Sequence, residues 1–149
     1  MKHVISCLQI TSTNDVDHNV GMVESLLREA AKKKPSLIAT PENTFFMRSL
    51  DTDTVPSFRM EEHPGVLMTQ QVAKEIRTPV LIGSLFAPAG AQKFFNRSVL
   101  IDREGNIAAY YDKIHLFGFQ KEQESYEESR TITPGTRPVT FQADDLRVG

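Results

Sequence analysis

Short apolar runs alternating with stretches of helical period leave this chain few folds to choose from. Residues 3–10 are apolar and β-branched and read as a buried strand. After them, Asn14, Asp15 and Asp17 supply side chains that cap helix N-termini. Val20, Val23, Leu27 and Ala30 then recur at helical spacing, with Leu26 and Ala31 widening the stripe. Lys32, Lys33 and Lys34 suit the negative, solvated end of that helix, and Pro35 stops it. Leu37, Ile38 and Ala39 form a second apolar run, ended by Pro41. Pro64 fits the first turn of a second helix, whose Met68, Val72 and Ile76 share a face. Pro79 opens a third strand over residues 80–86. Residues 98–101 and 107–111 are apolar arms joined by Asp102-Arg103-Glu104-Gly105-Asn106, a hairpin turn in which Gly105 can take a positive φ. The order strand, helix, strand, helix, strand, hairpin predicts an α/β fold with both helices packed on a sheet.

The intervening segments are less regular. Residues 44–63 read as a long loop with a short turn of helix, and Pro88 and Gly90 mark another loop. From 114 to 133 the composition turns polar and acidic, an excursion of the kind that often builds a site. Pro134-Gly135 makes a turn, residues 139–141 start a strand, and residues 146–149 begin one more that does not finish. With 149 residues there is room for one compact domain, and the mid-strand ending reads as a fragment.

Composition removes several classes of function. A formal net charge of −2 argues against a dedicated nucleic-acid or membrane surface. The N-terminus lacks the apolar core of a signal peptide, and no window approaches the ~18 apolar residues that span a bilayer. Cys7 is the one cysteine, so no internal disulfide can form; it reads as a small buried core thiol in a cytoplasmic protein. Asn96-Arg97-Ser98 matches a glycosylation sequon, taken here as coincidence. His3, His18, His63 and His115 are scattered without metal-ligand spacing, and no glycine-rich phosphate loop or Gly-x-Ser-x-Gly elbow occurs.

What remains for chemistry are charged residues at the ends of apolar runs. Glu42 follows Leu37-Ile38-Ala39-Thr40-Pro41 directly, at the strand end where α/β sheets usually place ligands. Lys113 stands between residues 107–111 and the apolar Ile114, Leu116 and Phe117, where an unpaired ammonium would be costly to bury. Each also has an ordinary reading, as a solvated loop glutamate and a snorkelling surface lysine. Glu128 shares its acidic stretch with Glu122, Glu124 and Glu127, and spacing alone does not single it out.

Taken together, four motifs resemble the nitrilase superfamily of carbon–nitrogen hydrolases. They are Thr40-Pro41-Glu42-Asn43; Asn96-Arg97-Ser98 followed by Asp102-Arg103-Glu104-Gly105; Tyr111-Asp112-Lys113-Ile114-His115-Leu116-Phe117; and Glu128-Ser129 through Pro134-Gly135. The resemblance covers the whole chain in order. It implies a four-layer α-β-β-α sandwich, incomplete at the C-terminus, with residues 1–149 as the N-terminal part of one hydrolase domain. It also implies a Glu-Lys-Cys mechanism in which Glu42 is the general base, Lys113 stabilises the developing oxyanion and Glu128 is a second glutamate. The nucleophilic cysteine is expected a few residues beyond Gly149, so the 149 residues alone are expected to be inactive. The pattern leans toward small-amide hydrolases of the ω-amidase kind. That implies a small amide substrate, self-association into a homo-oligomer, and no metal or organic cofactor. The alternative is a catalytically dead, truncated paralogue serving as an interaction subunit.

Overall fold

The computed structural model describes residues 2–49, 53–90, 92–121, 124–143 and 146–149, with backbone only at 119–121 and 124–126. A five-stranded sheet runs in the order β1 (Ile5–Cys7), β2 (Leu37–Ala39), β3 (Val80–Gly90), β4 (Lys93–Ile101), β5 (Ile107–Asp112). The first three strands are parallel, and β4 and β5 return antiparallel. Helices α1 (Val16–Ala31) and α2 (Pro64–Ile76) are the crossovers between the parallel strands. The mixed α/β architecture expected from the alternation of runs is the one observed.

Both helices start where capping chemistry places them. Asp15 accepts a hydrogen bond from the His18 amide (3.0 Å), and Pro64 occupies the first turn of α2. The cap of α2 was not anticipated: the Nδ1 of His63 accepts from the Gly65 amide at 3.0 Å. The short turn within residues 44–63 is a 3₁₀ turn at Met60–Glu62. The predicted helical stripes point inward. Val23 and Leu27 of α1 and Val66, Val72 and Ala73 of α2 meet Ile38, Val80, Ile82, Val99 and Ile101 of the sheet. Val20, Ala30, Met68 and Ile76 pack at the margin of this core. Lys32, Lys33 and Lys34 are exposed beyond the end of α1.

Four sequence readings need correction. The first strand is short and, among the described residues, sits at the edge of the sheet and pairs with β2 alone. Its register puts Ser6 beside Ile38 on the helix side, which turns Ile5 and Cys7 to the other side, where both are exposed. Cys7 is therefore not a core thiol. The strand at residues 80–86 continues through Pro88 to Gly90 and forms a hairpin with β4, so the loop expected at Pro88 is strand. Pro88 is accommodated because the register shifts between it and Gly90, a bulge where a missing N–H is tolerated. The acidic excursion contains a two-stranded ribbon, β6 (Gly118–Lys121) with β7 (Glu124–Glu127). The strand expected at 139–141 is β8 (Phe141–Ala143), two residues later, paired with β9 (Leu146–Val148).

The helices cover one face of the sheet. On the other face a groove of about 440 Å³ lies between Leu81, Leu100, Ala109 and Tyr111 of the sheet and Phe141 and Val148 of the β8–β9 ribbon. The described residues thus supply one helical layer and one five-stranded sheet, α on β, of the expected sandwich.

Candidate active site

The site forms where the C-terminal end of β2 meets the ends of β4 and β5. After Ala39 the chain leaves β2 but stays tied to β3. The Thr40 amide donates to the Leu81 carbonyl (2.9 Å), and the Thr44 amide donates to the Ser84 carbonyl (2.9 Å). A register shift between Ile82 and Leu85 bulges β3 and turns Gly83 and Ser84 toward this segment. The Gly83 amide donates to Thr40 Oγ1 (3.0 Å), and Ser84 Oγ accepts from the Asn43 amide (2.9 Å). Asn43 adopts φ +53°, a left-handed conformation that asparagine tolerates. The contact is too close for a side chain: a Cβ on Gly83 would lie 2.1 Å from the Thr40 carbonyl oxygen. Glu42 is thereby presented on a short, heavily hydrogen-bonded turn.

Lys113 follows β5 directly. Its amide donates to the Asn96 carbonyl (2.9 Å), extending the β4–β5 ladder by one residue. Next to it, Asp112 receives two hydrogen bonds from Arg97 (2.7 and 2.9 Å), whose guanidinium also lies 4.1 Å from the Tyr110 ring centroid. The Gly135 amide closes on the Lys113 carbonyl at 2.9 Å. The backbone on both sides of Lys113 is fixed.

Glu128 opens a 3₁₀ turn (Glu128–Arg130) after β7. Its Oε2 accepts from the Phe117 amide at 2.7 Å, and its own amide donates to the Phe117 carbonyl at 3.0 Å. This two-way clamp carries the carboxylate in from the acidic excursion. Of the acidic neighbours, Glu127 is exposed and paired loosely with Arg130 (3.6 Å), Glu122 lies outside the described residues, and Glu124 is described by its backbone alone.

The three predicted residues converge. Lys113 Nζ lies 3.1 Å from Glu42 Oε1 and 3.0 Å from Glu128 Oε2. Side-chain exposure falls from 53% at Glu42 to 27% at Lys113 and 12% at Glu128, so the cluster opens to solvent on the Glu42 side. Burial, the largest influence on Lys113, disfavours its charged form. Hydrogen bonds to Glu128 and Glu42 outweigh that effect and hold its pKa above the ordinary lysine range. The ammonium is thus fixed and charged between two carboxylates. Such a group can stabilise an oxyanion, and Glu42, the more open carboxylate, can accept a proton.

Sequence reasoning missed Asn96. Its Nδ2 donates to Glu42 Oε1 at 2.6 Å, and the residue is 4% exposed. The signal was present as the Asn96-Arg97-Ser98 motif, but the sequence alone did not reveal which residue Asn96 faces. Among the described residues no group of three or more histidines, cysteines and acids is arranged to hold a metal ion, and no helix is long and apolar enough to cross a membrane.

Comparison with known proteins places the chain in a family and a fold. The sequence pattern of the carbon–nitrogen hydrolases matches residues 4–149. A chloroplastic omega-amidase of Arabidopsis thaliana is 26% identical over 99% of this chain and 41% of its own length. An omega-amidase of Pongo abelii is 33% identical over 90% of this chain and 48% of its own length. The chain spans about half the length, or less, of these relatives. Among solved structures, an amidase of Nesterenkonia sp. AN1 superimposes with a TM-score of 0.79 at 21% identity, over 98% of this chain and 55% of the amidase. A mutant of that amidase carries acrylamide joined by Michael addition at its active-site cysteine. The fold is that of the nitrilase-superfamily amidases, and the chain belongs to the carbon–nitrogen hydrolase family.

Proposed function

We propose that this chain supplies the Glu-Lys-Glu part of an amidase that hydrolyses a small linear amide, with the nucleophilic thiol contributed from beyond Gly149. The observation that carries this reading is the placement of Lys113 Nζ within 3.1 Å of both Glu42 and Glu128. Residues 1–149 then form the first part of a single hydrolase domain.

The residue types suit the chemistry. A thiol with an ordinary pKa of about 8.5 is mostly protonated at neutral pH, so it needs a base. Glu42 takes that proton as the sulfur attacks the amide carbon. The carbonyl oxygen, now negative, sits beside the Lys113 ammonium, a contribution of about 3–4 kcal/mol by analogy with oxyanion-hole donors. Collapse breaks the C–N bond, and the proton held by Glu42 passes to the departing nitrogen, leaving a thioester and ammonia. Water then gives a proton to Glu42 and attacks the thioester, releasing the acid and regenerating the thiol. Glu128 keeps Lys113 in place and charged. No step needs a metal or an organic cofactor.

Cys7 is poorly placed for the nucleophile. It lies on β1, whereas the Glu42 carboxylate is bonded to Asn96 on β4, three strands across the sheet. At a strand spacing of about 4.8 Å the separation is roughly 14 Å. The omega-amidase relatives favour ω-amides as substrates. The proposal adds a cytoplasmic location and self-association, neither of which those relatives speak for, one of them being chloroplastic.

The test is ammonia release from short ω-amides by this chain and by a chain extended through the downstream coding sequence to the length of the relatives. Activity that appears on extension and disappears in Glu42→Gln supports the reading. Ammonia release that survives Glu42→Gln and Lys113→Ala contradicts it.

A second reading, an interaction subunit without catalysis, is favoured by the groove between the sheet and the β8–β9 ribbon, whose lining includes Leu81, Leu100 and Phe141. It predicts association with a second protein and no ammonia release at any length.

A further inference from the structure

The Asn96-Arg97-Ser98 motif touches both the Glu42 turn and the Lys113 segment, and this deepens the catalytic reading above, on which it rests. Asn96 bonds Glu42 through its side chain and the Lys113 amide through its carbonyl. Arg97 points to the other face of β4 and clamps Asp112, the residue before Lys113. Ser98 Oγ donates to the Gly83 carbonyl at 2.7 Å, securing the bulge that carries Thr40 and Asn43. Three consecutive residues therefore set the spacing between the Glu42 turn and Lys113.

Asn96 does something the other two do not. Its Nδ2 and Lys113 Nζ both reach the same oxygen of Glu42, Oε1, at 2.6 and 3.1 Å. Among the described residues Oε2 accepts from no side chain or amide. We infer that Asn96 is a positioning residue: it occupies Oε1 of Glu42 and orients the carboxylate so that Oε2 is the oxygen that takes the proton from the nucleophile. Lys113 alone could not do this, because an ammonium on a flexible stem does not fix the plane of a carboxylate, whereas a buried amide on a central strand can. Near-complete burial of Asn96 also means that its bond to Glu42 is scarcely shared with water.

Two measurements test this, one independent of catalysis. In the 149-residue chain, the side-chain amide resonance of Asn96 is expected to shift in Glu42→Gln while resonances in α1 and α2 stay in place. An unmoved Asn96 amide in a folded variant overturns the inference and leaves the amidase reading to its own assay. In the extended, active protein, Asn96→Ala is expected to lower kcat about tenfold or more with KM little changed, the size expected for one hydrogen bond to a charged group. In a Glu42→Gln background the same substitution should cost almost nothing further. Asn96→Asp, which keeps the shape but offers Glu42 an acceptor, guards against simple misfolding and should lower kcat at least as much. Fully additive losses, or a change confined to KM, overturn the inference. If Glu42→Gln retains parental activity, the amidase assignment of Glu42 fails first and this inference fails with it.

Discussion

The two faces of the sheet are built from the same strands but have different tasks. On the helix side, alternate residues Val80, Ile82, Val99 and Ile101 are fully buried against α1 and α2. On the other side, Leu81, Ser98, Ala109 and Tyr111 border an open groove, and Asn96 reaches up to Glu42 and Lys113. Buried Asn19 on the covered side is used for structure: it accepts from the Thr13 amide and donates to the Thr13 and Phe45 carbonyls. The Glu42, Lys113 and Glu128 cluster stands at the end of the sheet and opens to solvent at Glu42, where substrate could approach. Alternation along a strand separates stability from chemistry in this molecule.

The largest effect that could break this contrast is a core deletion. Ile82→Ala should cost roughly 2–5 kcal/mol of folding stability, because it leaves a cavity under both helices. Leu81→Ala, one residue away on the open face, should cost less than half as much. Urea midpoints for the pair decide the matter, and equal losses would mean that the open face is packed as tightly as the helix face.

Acid probes the covered side next. Burial pushes the His63 pKa down to about 4 from 6.5, against a smaller opposing effect of its own backbone hydrogen bond. Its ring is packed between Phe45 and Phe58, and neutral Nδ1 caps α2. Because the folded-state pKa is the lower one, this contribution is fully present above pH 6.5 and is lost as pH falls toward 4. The full loss amounts to roughly 3 kcal/mol. His63→Asn keeps a capping oxygen but does not titrate, so its stability should fall less over that interval in parallel thermal melts.

Gly83→Ala sharpens the comparison from the site side. The added methyl meets the Thr40 and Pro41 backbone, which cannot give way as a flexible side chain would. We expect about 1–3 kcal/mol of destabilisation. Displacement of the Glu42 turn should appear as amide shifts at residues 40–44, larger than those in α1 or α2. The smallest expected effect is Cys7→Ser, within about 0.5 kcal/mol because the thiol is exposed at the sheet edge. A much larger loss would restore the buried role first read from the sequence.

These contrasts also explain which features could be read in the sequence. Helix periodicity found Val23, Leu27 and Val72 because a buried stripe repeats every three to four residues wherever the helix lies. Glu42 and Lys113 stood out at the ends of apolar runs, but position left each an ordinary surface reading, and their expected roles came from the resemblance of the surrounding motifs to the nitrilase superfamily. The exposure of Cys7 could not: a three-residue edge strand has the same composition as a central one, and only its lack of a second neighbour tells them apart. The β3–β4 hairpin was hidden by Pro88, whose disruptive effect is absorbed by a bulge that depends on the partner strand. His63 and Asn96 were missed for a related reason. Each makes its decisive contact through tertiary structure, His63 with Phe45 and Asn96 with Glu42, 54 positions away in sequence.

The central claim is that Lys113, held between Glu42 and Glu128, stabilises the oxyanion formed when a thiol attacks an amide. The most direct measurement is the intact mass of the extended protein quenched during turnover of a short ω-amide, parent against Lys113→Ala. The account predicts an acyl adduct on a cysteine beyond Gly149 in the parent, with a formation rate at least about a hundredfold lower in the variant. An adduct that forms at the parental rate without Lys113, or that maps to Cys7, would contradict it.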